Sequence, residues 1–191
     1  MILLDYSQIA LSNIIVQRLN DESMIRHMIL NSIRMYNKKY RDQYGQMVIC
    51  ADGMNTWRKD YFPLYKAHRR KNREESDQDW NEIFRILHLV RDEIKENLPY
   101  KVLHMDGVEA DDIIASLAMF TQEFGNDEPV MIVSSDKDFI QLQKFNNVKQ
   151  YSPIQKKMVS DDNPRIYAFN HVMRGDAGDG VPNVLSADDT F

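Results

Sequence analysis

The sequence predicts an α/β domain built on a central, mostly parallel sheet flanked by helices. Four short apolar runs rich in Val and Ile each end on an aspartate, helical periodicities lie between them, and no repeat or long linker breaks the alternation. Strands buried on both faces read as unbroken apolar runs, the mark of a parallel sheet. Parallel strands require crossover connections, and the intervening helical stretches supply them.

Taken in order, Ile2-Leu3-Leu4 runs into Asp5 as the first strand. Ile25, Ile29, Ile33, Tyr36 and Tyr40 recur at spacings of four and three and predict an amphipathic helix over about residues 22–43. Met47-Val48-Ile49-Cys50-Ala51 forms the second strand and runs into Asp52. Trp80, Ile83, Phe84, Leu87, Ile94 and Leu98 mark a second helix, with Ser76-Asp77-Gln78-Asp79 read as its capping box. The third strand, from Lys101 to Met105, meets Asp106, and Ile113, Leu117, Phe120 and Phe124 mark a third helix closed by Gly125. Val130-Met131-Ile132-Val133 then passes through two serines to Asp136. Pro164 is expected to open a helix ending near Gly175, followed by a turn-rich stretch to Pro182.

Composition narrows the class. No window approaches 18 uncharged apolar residues, so no membrane-spanning helix is expected. The first ten residues lack a basic stretch and contain Asp5, so a secretory signal is not expected either. Cys50 is the single cysteine and has no partner within the chain, which fits an intracellular protein. The net charge of −5 hides a strong asymmetry. Between Trp57 and Arg73 stand Arg58, Lys59, Lys66, Arg69, Arg70, Lys71 and Arg73 against Asp60 alone, so that an acidic body of charge −11 carries one basic segment of +6.

Ligands of parallel α/β sheets gather beyond the carboxyl ends of the strands. Those ends carry Asp5, Asp52, Asp106 and Asp136, and three denser clusters join them: Glu109-Ala110-Asp111-Asp112, Asp136-Lys137-Asp138 and Asp176-Ala177-Gly178-Asp179. Singly, each such residue reads as a turn or helix-cap aspartate. Together on one rim they would raise one another's pKa unless cations neutralised them. No Cys pair or His–Cys spacing offers a zinc site and the five histidines are scattered, so an all-oxygen set suited to Mg²⁺ or Mn²⁺ is expected. Two such ions, roughly 3.5–4 Å apart, clamp the attacking and leaving oxygens of an in-line phosphoryl displacement, which points to phosphodiester hydrolysis. In the basic segment, cations interleave with Trp57, Tyr61, Phe62 and Tyr65, a pattern suited to phosphates and unpaired bases. A charge run of this kind also occurs as a plain solvated surface. A haloacid-dehalogenase-type phosphatase is excluded, because Asp5-Tyr6-Ser7 does not supply the DxD such enzymes place after the first strand.

Tyr65-Lys66-Ala67-His68-Arg69, Glu109-Ala110-Asp111-Asp112, Ser134-Ser135-Asp136-Lys137-Asp138-Phe139 and Gly175-Asp176 followed by Asp179 resemble the flap-endonuclease or 5′-nuclease family in order and spacing. The likeness is strongest to its bacteriophage members. It extends to the stretch Asp5–Ser12, to Arg73-Glu74-Glu75-Ser76 and to Asn147–Pro153, covering almost the whole chain. The resemblance implies a PIN-like catalytic domain over residues 1–160 with a flexible basic arch at about 53–76. Residues 161–191 would begin a helical duplex-binding region that the chain cuts short. It also implies that Asp5, Asp52, Glu109, Asp111, Asp136 and Asp138 hold a first metal, with Asp112, Asp176 and Asp179 in outer or second-metal positions. Lys66, Asp5, Asp52, Asp111 and Asp136 would carry catalysis, while Arg58, Tyr65, Lys66, Arg69, Arg70, Lys71 and Arg73 would bind nucleic acid. Within that set Lys66 draws the scissile phosphate inward, Arg69 contacts the phosphate path and Tyr65 stacks on a base.

The implied activity is Mg²⁺-dependent hydrolysis, with two ions and Mn²⁺ as a substitute, at 5′ ends or flaps of DNA and RNA–DNA duplexes. The implied setting is primer removal during phage replication in the cytoplasm of an infected host. A phage single-strand-binding protein and sliding clamp are the implied partners, with no membrane. After Asp179 the sequence reads Gly180-Val181-Pro182-Asn183-Val184-Leu185-Ser186, without the glycine pattern with which much of the family continues into its potassium-binding, duplex-gripping motif. A nucleic-acid-binding module that does not cut is therefore the second expectation.

Overall fold

The structure is a computed structural model that describes residues 1–17, 21–123 and 127–190. Its elements run in the order β1 (Ile2–Asp5), α1 (Tyr6–Gln17), α2 (Glu22–Tyr44), β2 (Met47–Ala51), α3 (Trp57–Tyr61), α4 (His68–Glu74) and α5 (Trp80–Asn97). There follow β3 (Lys101–His104), α6 (Ala110–Glu123), β4 (Val130–Val133), a 3₁₀ segment (Lys137–Lys144), β5 (Val148–Ser152), β6 (Lys157–Val159) and α7 (Pro164–Arg174).

One six-stranded sheet has the order β3-β2-β1-β4-β5-β6. The first five strands are parallel, and only β6 is antiparallel, to β5. From β1 the chain crosses outward through β2 to β3 and then returns to β4 on the other side of β1. The order reverses between β1 and β4, and such a switch point opens a crevice at the carboxyl ends of the strands.

Alternate side chains of β1 feed opposite cores, as the two-residue period of a strand requires. Ile2 and Leu4 pack with Ile9, Ile14, Ile29, Ile33 and Val90 of α1, α2 and α5. Leu3 packs with Cys50, Ile113, Ile114, Ile132 and Phe139 on the face covered by α6 and the 3₁₀ segment. Both faces of the sheet are thus covered, which accounts for the unbroken apolar runs. Burial raises the pKa of the Cys50 thiol and leaves it without a reactive thiolate.

The sequence-predicted helices are present, with three differences. The cap of α5 is Asp79, which accepts from Glu82 N (3.0 Å), whereas Ser76 accepts from the Trp80 indole (2.8 Å). The N-cap of α5 is therefore Asp79, three residues later than Ser76, while the Glu82 carboxylate pairs with Arg85 and does not reach back to the cap. The buried face of α6 is Ala110, Ile113, Ile114, Ala118 and Thr121, while Phe120 is exposed, because the small residues at 110 and 118 let the helix sit close to the sheet. The expected Phe124–Gly125 closure lies outside the described residues. Periodicity did not reveal α1, α3, α4, the 3₁₀ segment, β5 or β6. α1 scatters Ser7, Gln8, Ser12 and Asn13 among its apolar residues, α3, α4 and the 3₁₀ segment are short, and β5 and β6 form a short polar edge.

Candidate active site

The switch point brings the strand-end acids together. Asp5, 7% exposed at the end of β1, accepts from Ser134 Oγ across the β1–β4 boundary (2.8 Å) and from Gln8 N in the first turn of α1 (3.2 Å). Asp52 follows β2 and accepts from Ala110 N at the start of α6 (2.8 Å), so one aspartate ties a strand end to a helix end. Gly53 makes this possible. A Cβ there would fall 1.8 Å from Met105 O, and the Gly53 N–H donates to Val108 O instead (2.8 Å). Asp136 caps the 3₁₀ segment by accepting from Asp138 N (2.9 Å). Asp5, Asp52, Glu109, Asp111 and Asp136 line one cleft of about 500 Å³.

Burial and mutual repulsion act on the acids of this cleft. Burial, followed by repulsion from Asp52 and Asp136, raises Asp5 to about 7. Burial, followed by repulsion from Asp5, Asp136 and Asp52, raises Asp111 to about 8 despite an opposing pull from Lys66. Asp138 is also raised, by burial and by Asp136. A buried set of carboxylates that disfavour one another's ionised forms, with oxygen as its only donor type, is chemically fitted to hard divalent cations.

The basic segment folds back over these acids. Tyr65 is 6% exposed, and its hydroxyl lies between Glu109 Oε2 (2.9 Å) and Asp179 Oδ2 (3.0 Å). Lys66 Nζ stands 3.0 Å from Glu109 Oε1 and 3.7 Å from Asp179 Oδ2. Arg69 pairs with Asp179 (2.6 Å) and donates to Gly178 O. The Lys66 N–H donates to Asp179 O (2.7 Å), joining the segment's backbone to the turn after α7.

Several residues therefore have partners other than those expected. Asp112 holds Arg58 through two hydrogen bonds (2.7 and 2.8 Å) and accepts from the Trp57 indole, so both Asp112 and Arg58 are engaged within the protein. Burial would raise Asp112, but the Arg58 hydrogen bonds and the Glu109 N–H carry it below the usual carboxylate range. The Tyr65 ring, buried against its neighbours, has no free face for a base in this arrangement. Arg70 and Lys71 point away from the cleft and pair with Glu74 and Glu75 on the exposed side of α4. Arg73, Arg69, Lys66 and Lys59 line the cleft. Asp106 is exposed in its turn and does not line it.

The sequence reading missed one residue altogether. His171, in the last turn of α7, places Nε2 3.0 Å from Asp138 Oδ1 and 3.3 Å from Asp176 Oδ2. The histidines are not all scattered, and the donor set near Asp138 is not all oxygen. The signal was the spacing of His171 from Gly175-Asp176, one helical turn and a cap apart.

The sequence matches the family described as 5′-3′ exonuclease, N-terminal resolvase-like domain, over residues 6–170. It is 42% identical to ribonuclease H of Enterobacteria phage T4, an alignment covering 95% of this chain and 62% of that protein. It is 28% identical to a 5′-3′ exonuclease of Buchnera aphidicola, over 86% of this chain and 56% of the relative. The chain thus spans less than two thirds of the length of these relatives. Among solved structures, zinc-bound T5 5′-exonuclease superposes with a TM-score of 0.78 at 16% identity, over 99% of this chain and 72% of that one. The T5 flap endonuclease described as a pseudo-enzyme-product complex with DNA and metal ions also gives 0.78, over 99% and 71%. At such identity the likeness establishes the fold.

Proposed function

This chain belongs to the 5′-3′ exonuclease family, and from that premise we propose that it is a metal-dependent 5′ nuclease. It hydrolyses phosphodiesters at 5′ ends or flaps of DNA and RNA–DNA duplexes. The observation that carries this reading is the convergence of Asp5, Asp52, Asp111 and Asp136 in one cleft rimmed by Lys66, Arg69 and Arg73. Mg²⁺ is the natural ion, two are held, and Mn²⁺ substitutes. Asp5, Asp52, Asp111 and Asp136 would hold the first. Asp138, expected with that ion, stands beside Asp176 and with Asp176 and Asp179 would hold the second, while Glu109, also expected at the first, is engaged by Tyr65, Arg58 and Lys66. When bound, such ions supply Lewis acidity to the attacking water, the scissile phosphate and the leaving 3′-oxygen.

The remaining work belongs to the chain. Ser134 and Gln8 N orient the Asp5 carboxylate, and Ala110 N orients Asp52. Lys66 turns its ammonium from Glu109 toward the phosphate and offsets charge that grows as the bond breaks. Arg69 exchanges Asp179 for the phosphate backbone. Residues 1–160 then form the catalytic domain, about 53–76 the arch, and 161–191 the start of a duplex-binding region. The name of the T4 relative, ribonuclease H, supports the RNA–DNA substrate, and the proposed role extends to primer removal in phage replication, in the infected cell's cytoplasm, alongside a single-strand-binding protein and a clamp.

The test follows a 5′-flap and an RNA–DNA substrate with Mg²⁺, with chelator, and with Asp136→Asn. Cleavage should need Mg²⁺ and fall by more than about 100-fold in the variant, beyond the loss typical of an indirect metal partner. A variant that cuts as fast as the parent overturns the assignment. Binding without turnover across Mg²⁺ and Mn²⁺ would favour a non-cleaving module.

A further inference from the structure

We propose that Gln150 is a positioning residue, whose buried amide shapes the loop after β4 and so sets the divalent-ion affinity of the cleft that holds Asp5 and Asp136. This role deepens the nuclease reading, on which it rests for the purpose of the ion. Gln150 lies in the middle of β5 and is fully buried. Strand alternation puts it on the same face as Val148, which packs with Phe139 and Leu142 of the 3₁₀ segment. An apolar side chain is the ordinary filling of such a place, and an amide there costs stability unless its polar atoms are met. Here both are met. Gln150 Nε2 donates to Ser134 O (3.1 Å) and to Asp136 O (2.6 Å), while Oε1 accepts from Gln143 Nε2 (3.1 Å).

The carbonyls on either side of Ser135 thus converge on one NH₂ group, which fixes the peptide units between them. The same short loop carries the partners of both acids. Ser134 Oγ donates to Asp5 Oδ2 (2.8 Å) and accepts from Asp136 N (3.1 Å). Gln150 therefore holds Asp5 through the Ser134 hydroxyl and Asp136 through its own backbone. Ser152 Oγ, on the same face of β5, donates to Ser135 Oγ (2.7 Å) and secures the residue between. Gln143 in turn donates to Val159 O (3.2 Å) and accepts from Asp161 N (3.3 Å), which ties Gln150 to β6. Like-charged carboxylates gathered in one cleft push apart. A loop free to yield would let Asp136 swing away, and an ion would then have to order it on binding. The amide removes that freedom before any ion arrives.

The experiment measures Mn²⁺ affinity of the full chain by calorimetry in the parent, Gln150→Met and Thr121→Val, at a temperature where all three are folded. Met keeps the length of Gln and has no N–H to give. Thr121 is fully buried, and its hydroxyl joins Ala118 O and Asn147 beside the start of β5, at the other end of the strands from the loop. Its replacement reports a plain loss of buried hydrogen bonds. Gln150→Met should bind Mn²⁺ about tenfold or more weakly than the parent, and Thr121→Val within about threefold of it. Unchanged affinity in Gln150→Met, or an equal loss in both variants, would overturn the role. The unsubstituted chain gives a second readout that needs no variant to fold. In NMR its Gln150 side-chain NH₂ signals should exchange slowly with water and shift on adding Mg²⁺. Signals that exchange freely or stay unmoved would also overturn the role. Flap cleavage on the same samples separates the two readings. A parent that cuts, beside a Gln150→Met chain of unchanged Mn²⁺ affinity, keeps the nuclease and removes the role. A parent that needs Gln150 to hold Mn²⁺ but cuts nothing removes the nuclease and keeps the role. A parent that binds no Mn²⁺ overturns both.

Discussion

Asp5 and Asp111 illustrate how a single carboxyl group can serve chemistry at the expense of the fold. Both have native pKa values raised, to about 7 and about 8, above the ordinary value of 3.8. A native group that holds its proton more tightly than the unfolded chain stabilises the fold below the unfolded pKa, and that contribution is lost as pH rises through the native one. The metal-free protein should therefore lose thermal stability between about pH 4 and pH 8. Asp111→Asn should flatten that slope while reducing cleavage by more than about 100-fold. Mg²⁺ should raise the melting temperature more at pH 8 than at pH 6, because it binds the ionised forms. Thermal melts across pH with and without Mg²⁺ check the three stability effects and a flap-cleavage assay the fourth, and a metal-free slope rising with pH would refute the account. The aspartates were legible in the sequence because strand ends announce them. Their partners were not, because the pairing of Arg58 with Asp112 or of Tyr65 with Glu109 depends on how a loop folds back across 40 or more residues.

At the scale of elements, α7 and the turn after it position Asp176 and His171. Gly175 ends the helix at φ +71° and ψ −176°, a region open almost only to glycine, and a Cβ there would meet Val181 O and Pro182 O at 2.3 Å. Gly175→Ala should destabilise the chain by roughly 1–3 kcal/mol, measured by urea denaturation, and should weaken whatever cation the turn helps to hold. An unchanged midpoint would show that the turn relaxes freely. The long, strongly periodic helices α2 and α5 could be read directly, since their buried residues recur at three and four. β5 and β6 could not, because Lys149, Lys157 and Met158 face outward at the sheet edge and dilute any apolar run. α6 was placed correctly but its face was turned, because Ala110 and Ala118 pack the sheet through the absence of bulk.

Across the whole molecule, the basic segment and the acidic clefts form one electrostatic unit. If about four phosphates meet residues 57–73, log affinity for a 5′-flap duplex should fall against log salt with a slope near about −3.6. Fluorescence titration at several salt concentrations measures it, and replacing Lys66 and Arg69 by Ala should make it shallower. A slope unaffected by that change would take the segment off the substrate path. The parallel sheet followed from the apolar runs, yet the strand order with its switch point and the closeness of residues 65–69 to Asp179 had no counterpart in the sequence. Lys66 and Arg69 now occupy the carboxylates of Glu109 and Asp179. Under the proposed assignment a divalent ion at Asp179 would compete with Lys66 and Arg69 for that carboxylate, so loading the ion should loosen the segment. Trypsin should cut after Arg69 or Arg70 faster in Mg²⁺ than in chelator when no nucleic acid is present. A substrate duplex should restore protection by giving the displaced side chains phosphates to hold.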